Sequence, residues 1–196
     1  MTQSLKISIA DDEPRMREFF RKSLERLGHE VVSAAGSGRE LRQHCELHQP
    51  DLVITDIAMP DGDGLEIVAE LTRQRPLPVI LVSAHHSPEF IERARQNNVL
   101  AYLIKPITDT DLVPAIAIAM ARFEQFQTLE QEATNLKQAL EDRKVIERAK
   151  GILMTRSGLE EPDAFRRLQK IATGKSMRLV EVAQAIVTAE DALRID

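Results

Sequence analysis

The strongest constraint on this chain's fold is an alternation that repeats across its first 120 residues, in which short β-type runs are separated by amphipathic helical stretches. Leu5–Ala10, Glu30–Ala35, Leu52–Thr55, Val79–Ser83 and Ala101–Ile104 read as strands. Helices are predicted near 14–27, 37–48, 64–75 and 88–97, and another starts close to Asp109. Strands and helices in strict alternation predict an α/β fold, a doubly wound five-stranded parallel sheet covered on both faces. The first, third and fourth runs are almost wholly apolar, which places them in the middle of the sheet.

After Asp111 the pattern becomes purely helical. Pro114 falls in the opening turn of the new helix, where its missing N–H costs nothing. Phe126, Leu129, Ala133, Leu136 and Leu140 then recur at spacings of 3, 4, 3 and 4, the seam of a coiled coil. A second chain or the C-terminal unit could cover that seam, and a second chain is the expectation. Beyond it, helices are predicted at Arg143–Ser157, closed by Gly158, at Pro162–Thr173, closed by Gly174, and at Leu179–Leu193. The expected organisation is an α/β domain over residues 1–121, a helical coiled-coil linker over 122–141 and a three-helix all-α domain over 142–196.

A 43% hydrophobic and 29% charged composition excludes a disordered or low-complexity chain. No apolar run is long enough to span a membrane, and Asp11 arrives before a signal-type core could form. The cytoplasm is the expected location. A single cysteine, Cys45, excludes an internal disulfide, and it shares a helical face with Leu41, so a buried thiol is expected. Residues 1–141 hold 15 Lys/Arg against 22 Asp/Glu, whereas residues 142–196 hold 11 against 9. The tail is therefore compatible with a polyanionic partner, and the front is not.

Open parallel sheets bind ligands beyond the carboxyl ends of their central strands. Asp11 and Asp12 follow the first predicted strand, Asp56 follows the third, Ser83 ends the fourth and Lys105 follows the fifth. Asp11-Asp12-Glu13 alone would serve as an ordinary helix start. Three converging carboxylates, however, repel one another unless a cation sits between them. Oxygen donors with no His or Cys at these strand ends favour a hard cation, Mg²⁺. A carboxylate nucleophile, a metal, a lysine and a hydroxyl together meet the needs of phosphoryl transfer. His85 and His86, which follow in a polar loop, read as surface residues.

Asp11-Asp12, the stretch Asp56-Ile57-Ala58-Met59-Pro60-Asp61-Gly62-Asp63-Gly64, Ser83-Ala84 and Lys105-Pro106 resemble the receiver domain of two-component response regulators, which has a flavodoxin-like fold. The resemblance implies that Asp56 accepts a phosphoryl group from a cognate histidine kinase or a small phosphodonor. It implies that Asp12, Asp56 and the backbone carbonyl of Ala58 hold Mg²⁺, with Asp11 acting largely through water. Lys105 and Ser83 would bind phosphoryl oxygens, the Lys105–Pro106 bond would be cis, and Ser83 with Tyr102 would form the conformational switch. No enzymatic activity is expected beyond the chain's own phosphorylation and dephosphorylation.

In the tail, Arg143, Ile146, Glu147, Ala149-Lys150-Gly151 and Leu153-Met154, followed by Ala164-Phe165, Leu168, Ala172, Arg178-Leu179 and Val182-Ala183, resemble the ANTAR domain of transcription antitermination regulators. The resemblance implies binding to RNA stem-loops in nascent transcripts. The tail's only aromatic, Phe165, lies in an apolar pattern, so base-stacking platforms are absent and recognition would fall on cations. The candidates are Arg143, Arg148, Lys150, Arg156, Arg167, Lys170, Lys175 and Arg178. Gly151 inside a helix costs about 1 kcal/mol relative to Ala; close helix contact or an approaching ligand is the expected reason. The sequence departs from the family pattern at Gln169 and around Thr173–Met177. Outputs through DNA or through sequestering a protein remain alternatives, although the last helix, with Glu181, Glu190 and Asp191, presents a poor face to phosphates. Expected partners are the kinase, RNA stem-loops and a second copy in a phosphorylation-dependent homodimer, with no membrane.

Overall fold

The computed structural model describes residues 4–59, 62–84 and 99–193. The predicted helix near 88–97, together with His85 and His86, lies outside those residues. In chain order the elements are β1 (Lys6–Ala10), α1 (Pro14–Arg26), β2 (Glu30–Ala35), α2 (Gly38–His48) and β3 (Leu52–Asp56). A short ribbon follows, β4 (Ala58–Met59) with β5 (Gly62–Asp63), then α3 (Gly64–Gln74), β6 (Val79–Ser83) and β7 (Val99–Ile104). Three helices complete the chain: α4 (Asp109–Ser157), α5 (Glu161–Lys175) and α6 (Leu179–Leu193). Residues 1–127 and 128–196 form two compact units.

The first unit is built on a five-stranded sheet of order β2-β1-β3-β6-β7 with every pairing parallel, the doubly wound arrangement predicted. Period-2 geometry with both faces covered explains why its central strands are almost wholly apolar. Ala10, Val53, Val79 and Leu81 point into one core with Leu41 and Cys45 of α2 and Leu65, Val68 and Leu71 of α3. Ile7, Ile9, Leu52, Ile54, Ile80 and Val82 point into the other with Phe20 and Leu24 of α1 and Leu112, Ile116 and Ala119 of α4. As expected, Cys45 is buried, and its burial pushes the thiol up to about 11.

Helix starts follow local chemistry. Ser37 caps α2 by accepting from the Glu40 N–H, and the Glu40 carboxylate reaches back to the Gly36 N–H at 2.6 Å, a variant of the capping box. Thr108 and Asp111 open α4, the Asp111 carboxylate accepting from the Thr108 N–H at 2.8 Å and hydroxyl at 2.6 Å, which holds it below the usual carboxylate range.

In the second unit, Ala149 of α4, Leu168 and Ala172 of α5, and Val182, Ala183 and Val187 of α6 form a small core. The helix predicted at Arg143–Ser157 is the end of α4 rather than a separate element. Gly158, at φ +65, follows it as predicted, but Gly174 does not stop the next helix. α5 runs on to Lys175, and Ser176 takes the left-handed cap at φ 53, with the Met177 N–H closing onto the Ala172 carbonyl at 3.0 Å. At Gly151 a Cβ would meet no atom of the described residues within 4 Å, so of the two expected reasons close helix contact does not hold, and an approaching ligand is the one left.

Candidate functional site

The carboxyl ends of β1, β3, β6 and β7 bring the predicted residues together. Asp11 is fully buried just after β1, Asp56 ends β3 with 5% of its surface exposed, and Ser83 ends β6 at 1%. Asp12 is exposed beside them. One carboxylate oxygen from each of Asp11, Asp12 and Asp56 lies within 4.8 Å of the others. Lys105, just past β7, donates from Nζ to Asp11 Oδ2 at 2.8 Å and to Asp56 Oδ2 at 2.5 Å. Its backbone N–H is anchored on the Ser83 carbonyl at 2.9 Å, and the bond to Pro106 is cis, as the resemblance implied.

The backbone orients the remaining oxygens. Asp11 Oδ1 accepts from the Glu13 N–H at 2.9 Å, and Asp56 Oδ1 accepts from the Ala58 N–H at 3.0 Å, which brings Ala58 to the rim. Burial raises the Asp11 pKa above the ordinary carboxyl value, against the opposing pull of Lys105 and the Glu13 N–H. Burial works against the Lys105 ammonium, but its bonds to Asp11 and Asp56 prevail and hold its pKa above the ordinary lysine value. Sharing one ammonium between two buried carboxylates leaves negative charge in excess at the rim, and the oxygen-only donor set fits a hard divalent cation such as Mg²⁺. Tyr102 is half-buried on β7, in register with Leu81 of β6.

Sequence reasoning passed over Arg17. Its guanidinium holds the Asp11 carbonyl at 2.6 Å and the Asp12 carbonyl at 3.2 Å, fixing the acidic turn from the first turn of α1. The available signal was an arginine at that first turn, one helical reach from the Asp pair. Glu13 was read only as part of a helix start, yet its carboxylate stands 4.0 Å from Lys105.

The tail candidates fall differently. Lys150 is buried at 7% exposure, paired with Glu147 at 2.8 Å and Glu161 at 2.7 Å, and it stands 5.9 Å over the Phe165 ring. Arg156 makes a two-pronged bond at 3.1 Å to Glu190, itself buried. Arg148 pairs with Asp191, and Arg178 with Glu181 at 3.1 Å. Arg143, Arg167, Lys170 and Lys175 are exposed and have no ion pair among the described residues.

Residues 7–117 match the response regulator receiver domain family, and residues 134–187 match the ANTAR domain family. The transcriptional regulatory protein PdtaR of Mycobacterium tuberculosis is 40% identical over 182 residues, 93% of this chain and 89% of that protein. The chain belongs to the response regulators. Its likeness to PdtaR runs through both the receiver and the ANTAR domain, so the regulator carries an ANTAR output. Among solved structures, the receiver domain of the M. tuberculosis response regulator NarL covers 59% of this chain and 95% of its own, at 30% identity and a TM-score of 0.56. A CheY-like receiver protein from Methanospirillum hungatei covers 63% and 98%, at 27% identity and a TM-score of 0.59. No helix among the described residues of this response regulator is long and apolar enough to cross a membrane.

Proposed function

We propose that this response regulator is switched by phosphoryl transfer to Asp56, and that the switch governs binding of its ANTAR domain to RNA stem-loops in nascent transcripts, promoting antitermination. The observation that carries this reading is the position of Asp56: a nearly buried carboxylate ending a central strand, with Lys105 at 2.5 Å and Asp11 and Asp12 beside it. The donor is a phosphohistidine of a cognate histidine kinase or a small acyl phosphate. An Asp56 oxygen attacks phosphorus, a P–O bond forms, and the bond to the donor breaks with its electron pair leaving on the donor, which takes a proton from solvent if it is imidazole.

Each neighbour has a task in that step. The Ala58 N–H and Lys105 fix the two Asp56 oxygens, so the carboxylate is oriented before the donor arrives. As the acyl phosphate forms, the Lys105 ammonium passes to a phosphoryl oxygen as its counter-charge. Ser83, at the end of β6, offers its hydroxyl to another, and Tyr102 on the adjoining strand completes the switch. Asp12, Asp56 and the Ala58 carbonyl would hold Mg²⁺, with Asp11 supporting it largely through water; when bound, the ion neutralises the phosphoryl oxygens. The chain's chemistry is confined to its own phosphorylation and dephosphorylation, and its setting is the cytoplasm.

The exposed Phe126, Leu129, Leu136 and Leu140 support a homodimer formed through the coiled-coil segment of α4. The test is twofold. Acetyl phosphate with Mg²⁺ is expected to add one phosphoryl group to the intact chain by mass spectrometry, and Asp56→Asn to abolish the addition. Crosslinking in cells is expected to recover stem-loop RNA. An unmodified wild-type chain, or recovery of duplex DNA in place of RNA, would overturn the reading.

A further inference from the structure

Ion pairing divides the cations of the second unit into two groups. Arg148, Lys150 and Arg156 are held by Asp191, by Glu161 and by Glu190, contacts that tie α4 to α5 and α6, and Lys150 pairs also with Glu147 within α4. Arg143, Arg167, Lys170 and Lys175 are exposed with no ion pair among the described residues. The distinction matters for a polyanion. A cation already bonded to a carboxylate must give up that bond to take a phosphate, whereas an unpaired one contributes its full counterion release.

The second group is also unevenly placed, because three of its four members lie on α5. Ala164, Leu168 and Ala172 set the buried side of that helix, and at 100° per residue Arg166, Arg167 and Lys170 fall on its outward half. Arg166 pairs only one turn back, with Asp163 at 2.6 Å. Residues 164–180 are the longest acid-free stretch of the second unit, and they contain Arg166, Arg167, Lys170, Lys175 and Arg178. The stretch ends at the corner between α5 and α6, where Thr173 and Ser176 bring exposed hydroxyls beside Lys175, and Met177 is 39% exposed. The other helices compete poorly. α6 carries no Lys or Arg from Leu179 to Leu193, and the outward side of α4 sets Glu141 and Glu147 among its cations.

We propose that the outward face of α5 and the corner after it, with Arg167, Lys170 and Lys175 as its unpaired cations, is the surface that takes the RNA backbone, while Arg148, Lys150 and Arg156 hold the domain together. This rests on the RNA-binding reading above and narrows it to one face. Arg167 and Lys170 lie about 4.5 Å apart along the helix axis on its outward half, and Lys175, turned away from them by the helix, stands exposed at the corner, so a rigid element places the cations with little loss of backbone freedom when a phosphate strand crosses from the face to the corner.

The test uses the full chain, phosphorylated with acetyl phosphate and Mg²⁺, and a labelled pool of RNA stem-loops with randomised loops, titrated across a range of KCl concentrations. The double variant Arg167→Gln with Lys170→Gln is expected to weaken binding about tenfold or more at moderate salt and to flatten the log–log salt dependence by about 1.4 to 1.8. Arg143→Gln, on α4, is expected to change both by less than half as much. Lys150→Met is expected to lower the thermal midpoint and leave the salt slope of the folded protein unchanged. Circular dichroism checks that each variant is folded. A folded double variant that keeps the wild-type slope would overturn the α5 placement, as would a folded Lys150→Met chain that loses slope. Wild-type protein that ignores the pool would overturn the RNA reading itself.

Discussion

The rim of the sheet is an electrostatic compromise, and each of its residues can be tested by what it leaves behind when changed. Lys105 is the counter-charge for two carboxylates with 0% and 7% of their side chains exposed. Replacing it with Met strands both, and breaking a buried pair in this way typically costs about 3 kcal/mol or more. Urea unfolding of Lys105→Met without metal is expected to show a loss of that order, with Mg²⁺ restoring part of it as a second source of positive charge. The pH dependence follows from the two shifts. A lysine pKa raised by folding contributes stability that is complete below the ordinary lysine value and is lost as pH rises through the raised one. The wild-type chain is therefore expected to lose stability in the alkaline range through a step that Lys105→Met lacks. Asp11 runs the other way. Its raised pKa contributes stability in acid that is lost as pH rises through it, so Asp11→Asn is expected to match or exceed wild-type stability near neutrality without metal, the advantage fading in acid.

At the scale of elements, the contact between α2 and α3 depends on an absent side chain. A Cβ on Gly38 would stand 1.7 Å from Ile67 Cδ1, so Gly38→Ala forces Ile67 aside. Overpacking of this kind costs about 1–3 kcal/mol, against at most about 1 kcal/mol gained in helix propensity. Thermal unfolding is expected to show a net loss near 1 kcal/mol, and Ile67→Val, which removes the clashing methyl, is expected to erase it in a double-mutant cycle. Nothing in the sequence around Gly38 announces that contact, whereas the strands were legible because burial on both faces leaves a nearly continuous apolar run. The site was legible for a related reason: strand order carries Asp11, Asp56, Ser83 and Lys105 to one edge whatever the loops do. Two further features were not. The stop of α5 was read at Gly174, but capping bonds can close around any residue that tolerates the left-handed region, and here Ser176 does so. The pairing of the tail cations was invisible because Lys150 meets Glu161, and Arg156 meets Glu190, only when helices pack.

For the molecule as a whole, the open question of regulation comes down to how much the seam on α4 can contribute. Leu129, Leu136 and Leu140 are 65%, 67% and 60% exposed and Phe126 is 46% exposed in the single chain. Burying such a side chain is worth about 1.5–3 kcal/mol, whereas association itself costs roughly 4–15 kcal/mol. Four such residues from each of two copies offer about 12–24 kcal/mol if fully exposed beforehand, and their partial burial in the monomer cuts this by about two fifths, which brings gain and cost to the same order. A seam of this strength suits control, because a small change at the receiver surface is enough to move the monomer–dimer balance. Sedimentation equilibrium is expected to show a concentration-dependent balance that acetyl phosphate shifts toward dimer about tenfold or more, which requires only about 1.4 kcal/mol of coupling. Leu129→Asp with Leu136→Asp is expected to leave a monomer under both conditions while Asp56 still takes its phosphoryl group. Asp56→Asn is expected to keep the resting balance and lose the shift. A dimer that survives the seam variant, or a shift that survives Asp56→Asn, would detach assembly from the phosphorylation site.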